Sequence, residues 1–265
     1  MPAGQTVLLN VEALEKKFGG IIALDGYNVQ IRQGELVGLI GPNGAGKTTV
    51  FNLLSGVLNP TRGQIYFNGQ DITRLRPDAK AGLGIARTFQ NIRLFKELSV
   101  IDNIKIAFHM RAGKGLWQTL FHTPAYRQTE RGMERQANEF IVLFDLTSIQ
   151  DTAAKHLPYG FQRRVEIARA MATQPKLLLL DEPSAGLNPS ETDELKKILL
   201  KIHDAYGLTI FLVEHDMKLI MDICQKIQVI DRGRTLTYGS PADVRGDQRV
   251  IEAYLGQSAK KERHA

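Results

Sequence analysis

Apolar and polar positions alternate at the start of this chain: Val7, Leu9 and Val11 share one side, and Tyr27, Val29 and Ile31 share one side of a second run. A period of two predicts antiparallel β-strands with one buried face. Glu35-Leu-Val-Gly-Leu-Ile40 reads instead as a short, buried strand. After Gly41 the period lengthens, and Val50, Phe51, Leu53, Leu54, Val57 and Leu58 form one stripe that predicts a helix to about Leu58. Asn59-Pro-Thr-Arg-Gly63 reads as a turn, residues 64–67 as another alternating strand, and Asn68-Gly69 as a hairpin signal.

From about residue 91 to 175 the β-type alternation disappears. Met133, Ala137, Phe140, Ile141 and Phe144 share one helical face, which predicts a helical subdomain inserted into an α/β core. Leu116, Trp117, Leu120 and Phe121 group within a less regular stretch and are expected in that subdomain's core. The α/β pattern resumes at Lys176. Leu177 to Leu180 is a continuous apolar run ending in Asp181-Glu182-Pro183, as a buried parallel strand requires. Leu195, Ile198, Leu199 and Ile202 then mark a helix with Ser190 as its expected N-cap. Thr209 to Val213 is a further buried strand, and residues 226–231 and 234–238 read as closing strands. No internal repeat or low-complexity segment interrupts the pattern.

Composition changes this picture little. At 265 residues the chain can bury a full α/β core, and 43% hydrophobic with 23% charged residues is ordinary for a globular protein. No apolar run approaches the roughly 18 residues that cross a bilayer, and the N-terminal residues do not resemble a signal peptide. Cys224 stands alone, which excludes an internal disulfide and suits a reducing cytoplasm. The net charge of +6 invites a nucleic-acid reading, yet the basic residues are spread along the chain among acids. Phosphate ligands or an anionic membrane surface account for the same balance. Lys260, Lys261, Arg263 and His264 are expected to form a solvated basic tail over residues 257–265.

The chemistry is set by Gly41-Pro42-Asn43-Gly44-Ala45-Gly46-Lys47-Thr48, which fits the phosphate-binding pattern G-x-x-x-x-G-K-[ST] between a strand and a helix. Glycines let backbone N–H groups turn toward phosphate oxygens, and the helix start adds free N–H donors and its positive dipole end. Lys47 would contact the β- and γ-phosphates and Thr48 would ligate Mg²⁺. Asp181, at the end of an apolar strand downstream, can hold Mg²⁺ through water, and Glu182 would sit where a carboxylate can orient and deprotonate the attacking water. An Asp-Glu pair after a strand is by itself usually a solvated strand end; the loop makes the catalytic reading the better one. His215 follows the next strand to the same sheet edge, and Gln90 lies where core gives way to helices, within reach of Mg²⁺ or water.

These residues resemble a family. Gly41 to Thr48, Gln90, Leu157-Pro-Tyr-Gly-Phe161 with Gln162-Arg-Arg-Val-Glu-Ile-Ala-Arg-Ala170, Leu177 to Pro183, and His215 follow the order of ABC-transporter ATPase subunits. They are similar, respectively, to the Walker A loop, Q-loop, signature segment, Walker B strand with its catalytic glutamate, and switch histidine. The resemblance covers about residues 7 to 256. Arg87-Thr-Phe-Gln-Asn-Ile-Arg-Leu-Phe95, Ala185-Gly-Leu-Asn-Pro189, Glu214-His-Asp-Met-Lys-Leu219 and Ile251-Glu-Ala-Tyr-Leu-Gly256 look like the Liv-type subfamily, which serves high-affinity branched-chain amino acid importers.

The resemblance implies an α/β P-loop NTPase core, a mostly parallel sheet with flanking helices, joined to an antiparallel β subdomain and an inserted helical subdomain. The cassette would occupy residues 1–256, with core and antiparallel β at about 1–90 and 176–256 and helices at about 91–175. It implies ATP stacked on Phe18 and bound by Gly41 through Thr49. Mg²⁺ would be held by Thr48, Gln90 and Asp181, with Glu182 and His215 catalytic. Leu157, Pro158, Tyr159, Gly160 and Phe161 would cap the nucleotide of an opposite subunit, and Ala185, Gly186, Leu187 and Asn188 would cross the dimer interface. The implied partners are transmembrane permease subunits, docked near residues 90–100, and a second ABC ATPase, either this chain or, more in keeping with the subfamily, a paralogue. A periplasmic substrate-binding protein would take part indirectly, and nucleic acid would not. The place implied is the cytoplasmic face of the inner membrane. The same motor could serve urea, short amides or envelope-lipid export. A soluble ABC-type ATPase acting on DNA or ribosomes fits less well, since paired cassettes in one chain and long coiled coils are both missing.

Two departures stand out. The family's signature usually reads Leu-Ser-Gly-Gly-Gln; here Pro158, Tyr159 and Phe161 replace the serine, first glycine and glutamine. Proline offers neither hydroxyl nor N–H, and a lost hydrogen bond to a charged group is worth about 1.5–3 kcal/mol. A reduced, partner-dependent ATPase is therefore expected. Asn188 replaces a frequent aspartate, keeping the hydrogen-bonding shape without the charge, as in the Liv-type subfamily.

Overall fold

The computed structural model describes residues 6–112 and 124–261; Leu116, Trp117, Leu120 and Phe121, and Arg263 and His264, lie outside the described residues. The chain runs β1 (Val7–Phe18), β2 (Ile21–Arg32), β3 (Leu36–Ile40), α1 (Lys47–Leu54), β4 (Arg62–Phe67), β5 (Gln70–Asp71), α2 (Pro77–Gly82) and β6 (Ile85–Arg87). It continues through α3 (Val100–Ala112), α4 (Pro124–Leu143), α5 (Tyr159–Ala172), β7 (Leu177–Asp181), α6 (Pro189–Tyr206), β8 (Thr209–Val213) and α7 (Met217–Ile223). Strands β9 (Lys226–Asp231) and β10 (Arg234–Gly239) and helices α8 (Pro241–Gly246) and α9 (Gln248–Lys261) complete it.

Two sheets result. The alternating strands form a four-stranded antiparallel sheet in the order β2-β1-β4-β5. The continuously apolar strands lie in a six-stranded sheet, β10-β9-β3-β8-β7-β6, parallel throughout except for β10. Every residue of β3, β7 and β8 is buried, because each strand is covered on both faces. Successive side chains point to opposite sides. Leu178, Leu180, Ile210 and Leu212 join one core with Phe140, Phe144 and Leu195, whereas Leu177, Leu179, Phe211 and Val213 join a second with Leu9, Val11 and Phe51. Burying one such side chain contributes about 1.5–3 kcal/mol. The predicted face of α4, from Met133 to Phe144, is buried in the first of these cores, so these helices share their apolar layer with the parallel sheet.

Two local expectations need correction. Helix α1 stops at Leu54, not near Leu58, because Gly56 adopts φ +79° and turns the chain; Val57 is exposed. Asn188, not Ser190, caps α6. Its side-chain oxygen accepts from the Glu191 amide at 3.0 Å while the Glu191 carboxylate accepts from the Asn188 amide at 2.9 Å, and Pro189 takes the first helical position where no donor is needed. Such a cap is worth about 1 kcal/mol. The last helix continues to Lys261, so residues 257–261 of the expected basic tail are helical.

Candidate functional site

The order β3-β8-β7-β6 aligns four parallel C-terminal ends, and the chemistry-bearing residues follow those ends. Gly41 to Gly46 leave β3, Glu214 and His215 leave β8, Asp181 ends β7 with Glu182 next, and Gln90 comes three residues beyond β6. Such an edge is where open α/β sheets bind ligands. The loop wraps into α1 through Gly46, whose φ of +107° disfavours any side chain and whose added Cβ would lie 2.7 Å from the Ala23 carbonyl. Gly41, Pro42 and Ala45 are buried, whereas Asn43, Gly44 and Thr48 are exposed and Gly46 and Thr49 half-buried.

Lys47 folds back into its own loop, donating to the Gly41 carbonyl at 2.6 Å and the Pro42 carbonyl at 3.0 Å. Burial pushes its pKa down, and the charges of Glu182 and then Asp181 oppose that shift. An ammonium held by neutral carbonyls in a partly dry loop is poised to exchange them for a phosphate.

Glu182 is the centre of the edge. It has φ +49°, a left-handed conformation that costs a non-glycine residue about 1–3 kcal/mol. Its amide donates to the Val213 carbonyl at 2.9 Å, which carries the parallel β7–β8 pairing one residue past Asp181. One carboxylate oxygen lies 2.8 Å from His215 Nε2, and the other accepts from Gln90 Nε2 at 2.9 Å. The carboxylate is 15% exposed, open enough to meet water yet held at both oxygens. Asp181 is buried and one of its oxygens pairs with Arg87 at 2.7 Å. Arg87 also donates to Asn52 and Ser55 of the α1 segment, both at 2.8 Å.

Phe18 ends β1, half-exposed, with Lys16 Nζ 5.0 Å from its ring centroid. Leu157 is buried and Phe161 packs against the core, so within residues 157–161 Pro158 and Tyr159 are the exposed members. Pro158 is the N-cap of α5, so the amides of Tyr159 and Gly160 begin the helix without a side-chain cap. Leu187 packs against the core, and Ala185 and Gly186 form the turn before the Asn188 cap, with the Ala185 amide donating to the Glu182 carbonyl at 3.1 Å.

Three charged residues of this neighbourhood were not singled out by sequence. Arg87 carried a signal, being a cation closing the apolar strand Ile85-Ala86. Glu214 is buried and links the loops after β7 and β8 by accepting from the Ser184 amide at 2.7 Å and the His215 amide at 3.1 Å; burial pushes its pKa up against those bonds. Arg163, fully buried, pairs with Glu166 at 2.8 Å and donates to the Phe89 and Gln90 carbonyls. Its signal was the i,i+3 spacing of opposite charges on a helix face otherwise facing the core.

Among the described residues no cluster of His, Cys, Asp or Glu could hold a metal alone, and no helix is long and apolar enough to cross a membrane. Residues 24–185 match the family model of the ABC transporter, and residues 234–260 match that of the branched-chain amino acid ATP-binding cassette transporter. Over 251 residues the chain is 45% identical to the high-affinity branched-chain amino acid transport ATP-binding protein BraF of Pseudomonas aeruginosa, covering 95% of this chain and 98% of that protein. It is 43% identical to the corresponding protein LivG of Escherichia coli strain K12 over the same shares. A solved ATP-binding cassette of an ABC transporter, in its ADP conformation, superposes with a TM-score of 0.82 at 30% identity, covering 95% of this chain and 99% of that one. With one family model spanning the loop to the β7 edge and relatives aligned nearly end to end, the chain belongs to the ABC transporter family, as an ATP-binding cassette ATPase of its branched-chain amino acid branch.

Proposed function

We propose that this chain is the ATP-hydrolysing motor subunit of a branched-chain amino acid importer, working in a pair of cassettes on the cytoplasmic face of an inner membrane beneath separate permease chains. The observation that carries the hydrolytic role is the grip on Glu182 by His215 and Gln90 at the sheet edge that also bears the phosphate loop. Lys47 and the loop amides would bind the phosphates, Phe18 would stack on adenine, and Glu182 would take the proton of the attacking water. His215 and Gln90 hold the carboxylate at that task. The donor set fits Mg²⁺: the Thr48 hydroxyl, the Asp181 carboxylate and the Gln90 amide oxygen are hard oxygen ligands, few enough to leave room for phosphates and water. Mg²⁺, when bound there, would neutralise phosphate charge.

The opposite end of the Gln90 loop supports coupling to a permease. A groove of about 590 Å³ runs between α2, α3 and α5, lined by Phe89, Leu94, Phe95 and Ala107 and edged by Arg93 and Arg169. An amphipathic helix of a permease fits such apolar walls with a basic rim. The cargo reading rests on the similarity to BraF and LivG and on the match at residues 234–260.

The membrane complex purified with this chain, each subunit identified by mass spectrometry, should contain two permease chains and a second cassette. Reconstituted with the cognate binding protein, it should drive ATP-dependent leucine uptake that urea and short amides do not compete away. Recovery with lipid-export subunits, or with no hydrophobic chain at all, would refute this assignment.

Pro158 gives a second test. Serine at that N-cap restores a hydroxyl both for the α5 amides and for a partner's γ-phosphate. Pro158→Ser should strengthen ATP-driven pairing of cassettes by about 1.5–3 kcal/mol, an order of magnitude or more in the association constant. Sedimentation with ATP in a hydrolysis-blocked background reads this directly, and unchanged association counts against the role given to Pro158.

A further inference from the structure

Tyr159 stands where the family's signature segment has a glycine, and its side chain is not a bystander. Its ring lies over Gly186 of the loop before α6, close enough that a Cβ on Gly186 would come 3.1 Å from Cε1; Gly186 itself has φ +81°. The Tyr159 hydroxyl accepts from an Arg163 terminal nitrogen at 3.0 Å. That same nitrogen donates to the Gln90 carbonyl at 3.0 Å, while the other donates to the Phe89 carbonyl at 2.9 Å and to Glu166 at 2.8 Å. The Gln90 side chain then reaches Glu182 at 2.9 Å.

The distribution of donors is informative. An arginine serving only as counter-ion to Glu166 would turn its planar fork onto both carboxylate oxygens. Arg163 instead divides its terminal N–H groups between the adjacent Phe89 and Gln90 carbonyls and the Tyr159 hydroxyl one turn back on its own helix, and leaves its buried Nε without a partner. The guanidinium is therefore oriented by the Gln90 loop and by Tyr159 together, and moving either one disturbs the other.

We propose that Tyr159 is a positioning residue that ties the signature segment to Gln90 and Glu182 of its own chain through the Arg163 guanidinium, with its ring holding the Gly186 loop in the same assembly. This deepens the reading above and rests on it. A signature segment pressed against a partner's nucleotide would, through this link, set the Gln90 loop that orients the carboxylate in its own site.

The test uses Tyr159→Phe in the full chain, which keeps the ring on Gly186 and removes only the hydroxyl. Amide hydrogen exchange at residues 89–91 should rise roughly two- to tenfold without nucleotide. In the assembled transporter, kcat for ATP should fall by a similar factor while KM and Tm stay at wild-type values. Tyr159→Leu, which removes ring and hydroxyl, should also raise exchange at residues 185–187. Wild-type exchange at 89–91 in Tyr159→Phe overturns the proposal, as does a rise spread over the whole chain with a lowered Tm, which marks a merely structural role. Failure of the hydrolytic reading is distinguishable, because normal turnover in Glu182→Gln would remove the assigned base while leaving the exchange result at 89–91 standing.

Discussion

Replacing Glu182 with Gln should leave ATP binding intact and lower steady-state turnover by roughly 10²–10⁴-fold, the usual worth of a positioned general base. The substitution is nearly isosteric. The new amide can still accept from Gln90 Nε2 and donate toward His215 Nε2, the two partners that hold the carboxylate at 2.9 Å and 2.8 Å. The geometry of the edge therefore survives, as does the bond from the Glu182 amide to the Val213 carbonyl of the neighbouring strand. What disappears is the proton acceptor. Phosphate release measured beside equilibrium binding of a fluorescent ATP analogue separates the two effects, and cassettes that bind but do not hydrolyse should accumulate as ATP-bound pairs. Turnover at the wild-type rate would show that the base lies elsewhere.

Replacing Arg163 with Met should destabilise the chain by about 3–5 kcal/mol, because removing one partner of a buried pair strands the other charge. Glu166 is 2% exposed and keeps only backbone amide donors, those of Arg93 and Phe89, once Arg163 is gone. The Phe89 and Gln90 carbonyls lose their donors as well. At about 2–4 °C per kcal/mol for chains near this size, Tm should fall by roughly 6–20 °C. The loss should depend on pH. Burial already pushes the Glu166 pKa up, with Arg163 the strongest opposing influence, so the variant's folded-state value should rise further. A carboxyl whose folded pKa exceeds its unfolded one favours folding below the unfolded value, and that advantage is lost as pH rises through the folded value. Arg163→Met should thus regain part of its stability as pH falls from neutrality toward the ordinary glutamate range, relative to wild type at each pH. A Tm deficit independent of pH would show that the loss comes from packing and carbonyl contacts and not from a stranded Glu166.

Much of this architecture is legible in the pattern of side chains along the chain. Two-residue alternation in Val7 to Val11 and Tyr27 to Ile31 became the antiparallel sheet, and the unbroken runs Leu177 to Leu180 and Thr209 to Val213 became strands buried on both faces. Periodicity reports burial, and burial was what it predicted. Where it failed, a backbone conformation intervened. The stripe through Val57 and Leu58 continued past Leu54, but Gly56 turned the chain, and Ser190 lost the cap to Asn188 because the reciprocal bond with Glu191 is available only two residues earlier.

The order of the elements, the phosphate loop and the residues with the chemistry to act were legible along the chain, since each depends on neighbours within a few positions. The company those residues keep depends on how the elements pack. Arg87 on Asp181, Arg163 on the Gln90 loop and Tyr159 over Gly186 join positions 94, 73 and 27 residues apart. Strand order and helix packing create those meetings, and neither quantity is written in any local pattern of side chains.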